Sequence, residues 1–329
     1  MTFAAVLLAL LVEQLRPLPR NNWVHDALIA WTRWTGRNFN AGRDHHAWVV
    51  WCMMVVVPAA LVLGVHIVIG HFSILLALVW NVVVLYVTLG FRQFSHYFTR
   101  VRDALEQGNE IQAAQLMREC WQLDASELSG TDLLRHVIEH SLLAAHRHVF
   151  GVFFWFVALS LLGLGPTGAV IYRMAEFASR YWAFKSGTVG EPTNDRLMAL
   201  SSRIFTAIDH FPARLTACGF AVVGNFEHAV NCWRRDAVLW TCPNEGIILA
   251  AAAGAVGVRL GGAAAPGLVP DASKTFDRGA PLAATQAEGS TTGALPDLSH
   301  LSSIVGLVWR AVVMWMLLLG LLWLANLIG

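Results

Sequence analysis

The chain has 329 residues, of which 56% are hydrophobic and only 14% are charged, and its mean hydropathy is +0.53. Soluble domains carry about 25% charged residues, so this composition excludes an ordinary soluble domain and favours an integral membrane protein. The net charge of +1 gives no indication of a nucleic-acid partner. Fourteen Trp residues agree with a lipid bilayer as partner, because indole rings concentrate at the membrane–water boundary.

Four segments are predicted as membrane spans, and they are 2–16, 47–69, 72–91 and 303–328. The two middle segments are close to the roughly 20 residues that an α-helix needs to cross a bilayer. Gly70 and His71 permit a tight hairpin between them. The first segment is short and carries Glu13 near its end.

Amphipathic helices outside the lipid are predicted where apolar residues recur at helical spacing among charged ones, at 92–148 and 193–211. Residues 21–46 are polar with interspersed Trp, which predicts a helix lying at the membrane interface. With the Arg-rich segments 16–46, 92–148 and 173–259 in the cytoplasm, the chain makes four crossings and both termini lie outside. The prediction is a multi-pass protein of a bacterial inner membrane.

Residues 149–182 are predicted as a re-entrant hairpin. They are apolar but interrupted by a glycine-rich turn at 163–168, and basic residues such as Arg147 and Arg173 flank both ends. A simple span would place strong positive charge on both faces, against the positive-inside rule. Folding back at the glycines keeps both ends cytoplasmic, provided that protein covers the freed backbone.

The apolar run that follows Asn244, from Ile247 to Val258, is predicted as a helix packed inside a bundle, because its small Ala and Gly residues let another backbone approach closely. Asn244 is a candidate cap at its start, and the pair Gly261-Gly262 is predicted to end it. The preceding residues, 212–233, are predicted as a further buried helix. Residues 263–302 are rich in Ala, Pro, Gly and Thr, which predicts a flexible loop.

His136 and His140 share a helix face with Glu139 between them, which matches the HxxEH pattern of one metalloprotease group. Such short matches are common in a chain with 13 His residues, and no distinctive third ligand follows. We therefore predict a solvated amphipathic helix here and no metal site.

A second cluster surrounds a predicted helix break and comprises Arg203, Asp209 and Arg214. Two arginines near the polar turn Asn244-Glu245 could bind a phosphate-bearing ligand. The alternative is a structural ion pair that simply stabilises the break. The residues alone leave both open.

Two separated motifs resemble the CobD/CbiB family of cobalamin biosynthesis. Cys-Pro-Asn-Glu-Gly at 242–246, followed by Ala-Gly-Ala-Val-Gly-Val-Arg-Leu-Gly-Gly at 253–262, is similar to its "SPNAG…AGALGVRLGG" stretch. Three further stretches match the family and stand in the same order as in its members: Ala-Leu-Glu-Gln-Gly-Asn at 104–109, Gly-Pro-Thr-Gly-Ala at 165–169 and Pro-Ala-Arg-Leu at 212–215.

The resemblance implies an adenosylcobinamide-phosphate synthase. Such a protein attaches aminopropanol or its phosphate to the corrinoid adenosylcobyric acid, and it uses ATP with Mg²⁺. The implied polar lining contains Glu139, Arg203, Asp209, Arg214, Asn244, Glu245 and Arg259. No catalytic base is assigned, and a homo-oligomer is left open.

An alternative reading is a non-enzymatic membrane sensor on the same scaffold, similar to AmpE. It is favoured by positions such as Ala144 and Phe205, which stand where the family carries acidic or amide groups.

Overall fold

The computed structural model describes residues 2–16, 23–39, 44–89, 91–121, 130–187, 195–262 and 289–328. These residues are almost entirely helical, which confirms the all-α fold class. The helices in chain order are α1 (Thr2–Leu15), α2 (Trp23–Phe39), α3 (Asp44–Phe72), α4 (Ile74–Thr88), α5 (Phe91–Glu106), α6 (Glu110–Trp121), α7 (Gly130–Ala145), α8 (Gly151–Leu161), α9 (Thr167–Gly187), α10 (Asp195–Ile208), α11 (His210–Val223), α12 (Phe226–Asp236), α13 (Pro243–Val256) and α14 (Leu298–Ile328). A π-helical turn, His146–Phe150, joins α7 to α8.

Three helical stretches in the described part of the chain are long and apolar enough to cross a membrane: His46–Phe72, Gly130–Leu161 and Leu298–Ala325. The first and third contain most of the predicted spans 47–69 and 303–328. The predicted spans 2–16 and 72–91 coincide with the shorter apolar helices α1 and α4. Gly130–Leu161 was not predicted as a span, because the polar residues of α7 were placed outside the lipid.

The chain forms two compact units. The first contains α1 to α4 and α8 to α10, and α9 runs along α3 in the opposite direction. Close contacts at both ends fix this direction. The turn before α9 lies against His66 at Gly165, and Trp182 near the end of α9 lies against Gly36 at the end of α2. An added Cβ at Gly36 would be 2.7 Å from the Trp182 ring.

Helices α8 and α9 form a hairpin that folds at the predicted glycines. Gly163 and Gly165 adopt φ values of +78° and +58°, a backbone region that favours glycine. Gly151 and Gly168 allow the two helices to touch, since a Cβ at either position would collide with Tyr172 or with the Trp155 carbonyl. The structure thus contains the hairpin within the predicted range 149–182, and its insertion into a bilayer remains a prediction.

The second unit is built around α13. Ten residues of this helix are buried, from Asn244 to Gly254, and it packs against α7, α11, α12 and α14. Gly254 lies directly against the α12 backbone, where a Cβ would be 2.7 Å from the Ala229 Cα. The prediction of a small-residue helix inside a bundle is confirmed.

The ends of α13 differ from the prediction. Cys242 occupies the N-cap position and Pro243 begins the helix, so Asn244 lies inside the first turn rather than capping it. The helix ends at Gly257, which adopts a φ of +82°, four residues before the predicted pair Gly261-Gly262. Gly257 is the first residue there that takes a left-handed conformation without a Cβ penalty.

The predicted loop 263–302 divides into three parts. Residues 263–288 lie outside the described residues. Residues 289–294 pair with 257–262 through four backbone hydrogen bonds, two of them from Arg259 N to the Ala294 oxygen and from Thr291 N to the Leu260 oxygen. Helix α14 then begins at Leu298, and the backbone pairing shows why this part is not a loose loop. The predicted segment 212–233 is likewise two helices, α11 and α12, with the N-cap Asn225 between them.

Candidate ligand site at the start of α13

Trp240 brings distant glycines to the start of α13. Its indole is buried, and Gly246, Gly261 and Gly289 all lie directly against it. An added Cβ at these positions would be 2.6, 2.9 and 2.5 Å from atoms of Trp240. Although Gly261 follows the far end of the helix, the chain therefore returns along α13 and places Gly261 beside the first turn.

Helix α7 binds both the backbone N–H and the backbone carbonyl of Gly261. The Gly261 N–H donates to Glu139 Oε1 over 2.7 Å, and Arg135 Nη1 donates to the Gly261 carbonyl over 2.8 Å. His136 Nδ1 lies 3.4 Å from the second oxygen of the buried Glu139 carboxylate. Arg135 thus forms a structural clamp with two residues of the HxxEH pattern, His136 and Glu139, and we name these three residues the Gly261 clamp. Both pattern residues are buried, so the prediction of a solvated helix face here is wrong.

The described residues contain no group of three His, Cys, Asp or Glu side chains that could hold a metal ion. Both oxygens of Glu139 already face partners in the Gly261 clamp. A protein-held Mg²⁺ therefore does not fit the residues described at this site.

Arg214 faces the first turn of α13 from α11. Its Nη1 donates to the His210 carbonyl over 2.8 Å and lies 3.5 Å from Asn244 Oδ1. Asn244 is buried, whereas Arg214 and Glu245 are half-buried. A guanidinium at the amino end of a helix gives this place a positive potential, which suits a phosphate or carboxylate group. The structure therefore brings together Arg214, Asn244 and Glu245 of the predicted lining, and Glu139 binds Gly261, which contacts Trp240 beside the same turn.

The three other predicted lining residues are Arg259, Arg203 and Asp209. Arg259 is exposed on the returning strand of chain, and its backbone N–H is used in the pairing with Ala294. Arg203 lies on the exposed face of α10, in the first unit. Asp209, also in the first unit, is buried and accepts a hydrogen bond of 2.8 Å from the Tyr172 hydroxyl. Its structural role is to satisfy that buried hydroxyl.

The first unit also buries a cluster of charges on α9. The Glu176 carboxylate is 3.1 Å from Arg173 Nη1 and 2.6 Å from Arg180 Nε. The contact of Arg180 Nε with Glu176 is ionic, because the Nε–H is not directed at the carboxylate. The hydrogen bond between the two residues runs from Arg180 Nη2 to Glu176 Oε2 over 3.5 Å. Glu176 and Arg180 are almost fully buried.

Trp240 and Arg135 were not predicted as site residues. Nothing in the sequence distinguishes Trp240 from the other thirteen Trp residues of this membrane protein. Its contact with Gly261 depends on the pairing of 257–262 with 289–294, which are far apart in sequence. Arg135 had a weak signal, since it directly precedes the HxxEH pattern.

A second ionic contact anchors the returning chain at the end of α12. The buried Asp236 carboxylate accepts from Arg235 Nε and Nη2 over 2.6 and 2.9 Å, and Arg235 Nη2 also donates to Thr292 Oγ1. The hydrogen bonds from Arg235 lower the pKa of Asp236 below its ordinary value. Burial raises the pKa of the neighbouring Cys232 thiol.

Asp236→Asn should destabilise the protein at pH 7 by about 1 kcal/mol, because it removes a charge-assisted hydrogen-bond acceptor. A lowered folded-state pKa means that the stabilisation is complete above the unfolded pKa of about 3.9 and is lost as the pH falls through the folded value. The gap in melting temperature between wild type and variant, measured in detergent, should close below about pH 4. The control is Glu227→Gln on the exposed face of α12. A gap that stays constant down to pH 3 would contradict the assignment.

Comparison of the sequence with known proteins identifies the family of the chain. The sequence model of the CobD/Cbib protein family matches residues 2–290. This chain belongs to the CobD/Cbib family. It is 30% identical over 326 residues to the cobalamin biosynthesis protein CobD of Stutzerimonas stutzeri (strain A1501), covering 96% of each chain. No solved structure shows significant similarity to it.

Two further relatives of the CobD/Cbib family match a shorter part of the chain. The cobalamin biosynthesis protein CobD of Chromobacterium violaceum is 33% identical over 193 residues, 58% of each chain. That of Leptospira interrogans serovar Lai is 25% identical over 190 residues, 55% of this chain and 56% of its own length. Nothing in the structure or in these relatives favours the AmpE-like alternative.

Proposed function

We propose that this member of the CobD/Cbib family is a multi-pass inner-membrane protein that joins aminopropanol or its phosphate to adenosylcobyric acid, with ATP consumed. The observation that carries the proposal is the family match over nearly the whole chain, together with a relative that covers 96% of it. The match includes both halves of the site, since the Gly261 clamp and the first turn of α13 both lie within residues 2–290.

The chemistry requires a carboxylate, an amine and phosphate groups to meet. Amide formation from a free carboxylate releases the elements of water, and ATP hydrolysis to ADP and phosphate makes it favourable. Arg214 beside Asn244 supplies positive charge for a phosphate or carboxylate of the substrates. The half-buried Glu245 is the nearest carboxylate in sequence to that contact. Mg²⁺ would arrive with ATP as part of the substrate, since the described residues do not fit a resident ion.

Genetic complementation tests the proposal. The gene should restore growth without added cobalamin to a strain that lacks its CobD/Cbib protein, and the empty vector should not. Growth of both strains on added cobinamide is the control for later steps. Failure at good membrane expression, with no corrinoid bound to the purified protein, would overturn the enzymatic proposal in favour of a sensor.

Arg214→Ala should reduce the rate of corrinoid conversion by about tenfold or more, because a charge-assisted contact is worth roughly 1.5–3 kcal/mol. Arg214→Lys should recover part of the loss, since it restores the charge but not the planar fork. The matched control is Arg234→Ala, which removes an exposed arginine from α12. Equal rates for Arg214→Ala and wild type, measured by chromatography of the corrinoid product, would remove Arg214 from the site.

A further inference from the structure

Helix α11 carries an exposed apolar stripe. Phe211, Leu215 and Val222 are 64%, 37% and 56% exposed, and Cys218 between them is also exposed. At about 100° per residue, these four side chains fall within an arc of about 60° on the helix surface. A further apolar residue, Phe226, is 60% exposed at the start of α12.

The stripe lies beside a helix that is long and apolar enough to cross the membrane. Gly219, about 40° beyond one edge of the stripe, faces α14. A Cβ there would be 3.2 Å from Trp315 Nε1 and 3.4 Å from Met314 Cε. Leu215 and Val222 stand one helical turn before and after Gly219, and both belong to the stripe. The stripe therefore borders the outer face of α14.

Helix α14 passes from buried to exposed residues near its contact with Gly219. Its buried residues end with Ala311 and Val312, and the following turns expose leucines around the helix, namely Leu317, Leu318, Leu321, Leu322 and Leu324. Arg310 is exposed and bonds back to the Gly306 carbonyl, in the direction away from these leucines. An exposed arginine that turns away from such a leucine surface is typical of the water boundary of a membrane helix, where long cationic side chains reach toward the headgroups. Met314 and Trp315 lie about 6–8 Å beyond it.

We propose that α11 lies in the membrane interface, with the stripe in contact with lipid acyl chains in the leaflet next to Arg310. An amphipathic helix parallel to a membrane typically buries its apolar face about 5–10 Å deep, which matches the level at which α11 meets α14. Lipid is favoured over a second protein copy because the stripe continues directly into the leucine surface of α14. This inference does not rest on the proposed enzymatic function.

The stripe gives the ligand site a position relative to the membrane. Arg214 lies about 40° beyond the edge of the stripe opposite to Gly219, and it reaches Asn244 at the start of α13. The first turn of α13 is therefore next to the bilayer surface, where an amphiphilic ligand could approach it from the headgroup region.

Spin labelling of the native Cys218 tests the proposal. The other four cysteines are replaced by Ser, and the labelled protein is reconstituted in phosphatidylcholine–phosphatidylglycerol liposomes. Collisions with oxygen, which concentrates in lipid, are compared with collisions with a water-soluble nickel chelate. The water control carries Glu106→Cys on α5, and the lipid control carries Leu318→Cys, each in a cysteine-free background. Val222→Cys is a second position on the stripe.

The oxygen-to-nickel ratio at positions 218 and 222 should be several-fold higher than at 106 and should approach that at 318. A ratio equal to that at 106 would overturn the proposal, because the stripe would face water. Low collision rates with both probes, together with dipolar broadening that disappears on dilution with unlabelled protein, would also overturn it, because a second copy would then cover the stripe.

Discussion

Glu176→Gln should lower the free energy of unfolding by about 3–5 kcal/mol, the largest effect expected of any substitution in the first unit. Glu176 is almost fully buried and lies within 3.1 Å of both Arg173 and Arg180. Removal of the carboxylate leaves two guanidinium groups in a low-dielectric interior, where an uncompensated charge is far more costly than in water. The measurement is unfolding by titration with sodium dodecyl sulfate in mixed micelles.

The matched control is Glu106→Gln on α5. Glu106 pairs with Arg102 at the same four-residue spacing as Arg180 and Glu176, but the side chains of Arg102 and Glu106 are 32% and 53% exposed. An exposed pair of this kind is worth about 0.3–0.5 kcal/mol. Replacing Arg180 with Met in the Glu176→Gln background should recover part of the loss. Equal effects at 176 and 106 would contradict a buried charge cluster on α9.

Gly261→Ala should destabilise the second unit by about 2–6 kcal/mol, from about 1–3 for backbone strain and about 1–3 for overpacking. Gly261 has a φ of +79°, and a Cβ there would collide with the Gly289 carbonyl and lie 2.9 Å from Trp240. The shift would also disturb the hydrogen bond to Glu139. We expect a lower melting temperature in detergent, measured by tryptophan fluorescence.

Gly257→Ala separates the two causes of that loss. Gly257 has a similar φ of +82°, but no atom lies within 4 Å of an added Cβ. This variant should therefore cost only the backbone strain, about 1 kcal/mol. A Gly261→Ala protein as stable as Gly257→Ala would show that the Trp240 contacts do not hold the returning chain at the start of α13.

Local patterns in the sequence were sufficient to predict the helices and the hairpin. The glycine-rich turn at 163–168 was predicted because glycines there interrupt an apolar run, and Gly163 and Gly165 do take positive φ values. The small-residue helix α13 was predicted because Ala and Gly recur without any charged face. These signals lie within a few residues, where composition and spacing determine the backbone.

The arrangement of the site could be predicted only in part, because it depends on contacts between distant segments. Asn244 and Arg214 were predicted to share a site, and they lie 3.5 Å apart. Glu139 was predicted as lining, but its partner is the Gly261 peptide, 122 residues away. Nothing in the local sequence around residue 289 indicates that it packs on Trp240 and returns the chain to this place.

Conversion of adenosylcobyric acid by the purified protein tests the central claim most directly. Reconstituted wild-type protein, supplied with ATP, Mg²⁺ and either aminopropanol or its phosphate, should form the corresponding corrinoid amide, as detected by chromatography and mass spectrometry. Arg214→Ala should lose most of this activity while it remains folded, and Arg234→Ala should retain it. A folded wild-type protein that binds no corrinoid and forms no amide with either amine would contradict the account.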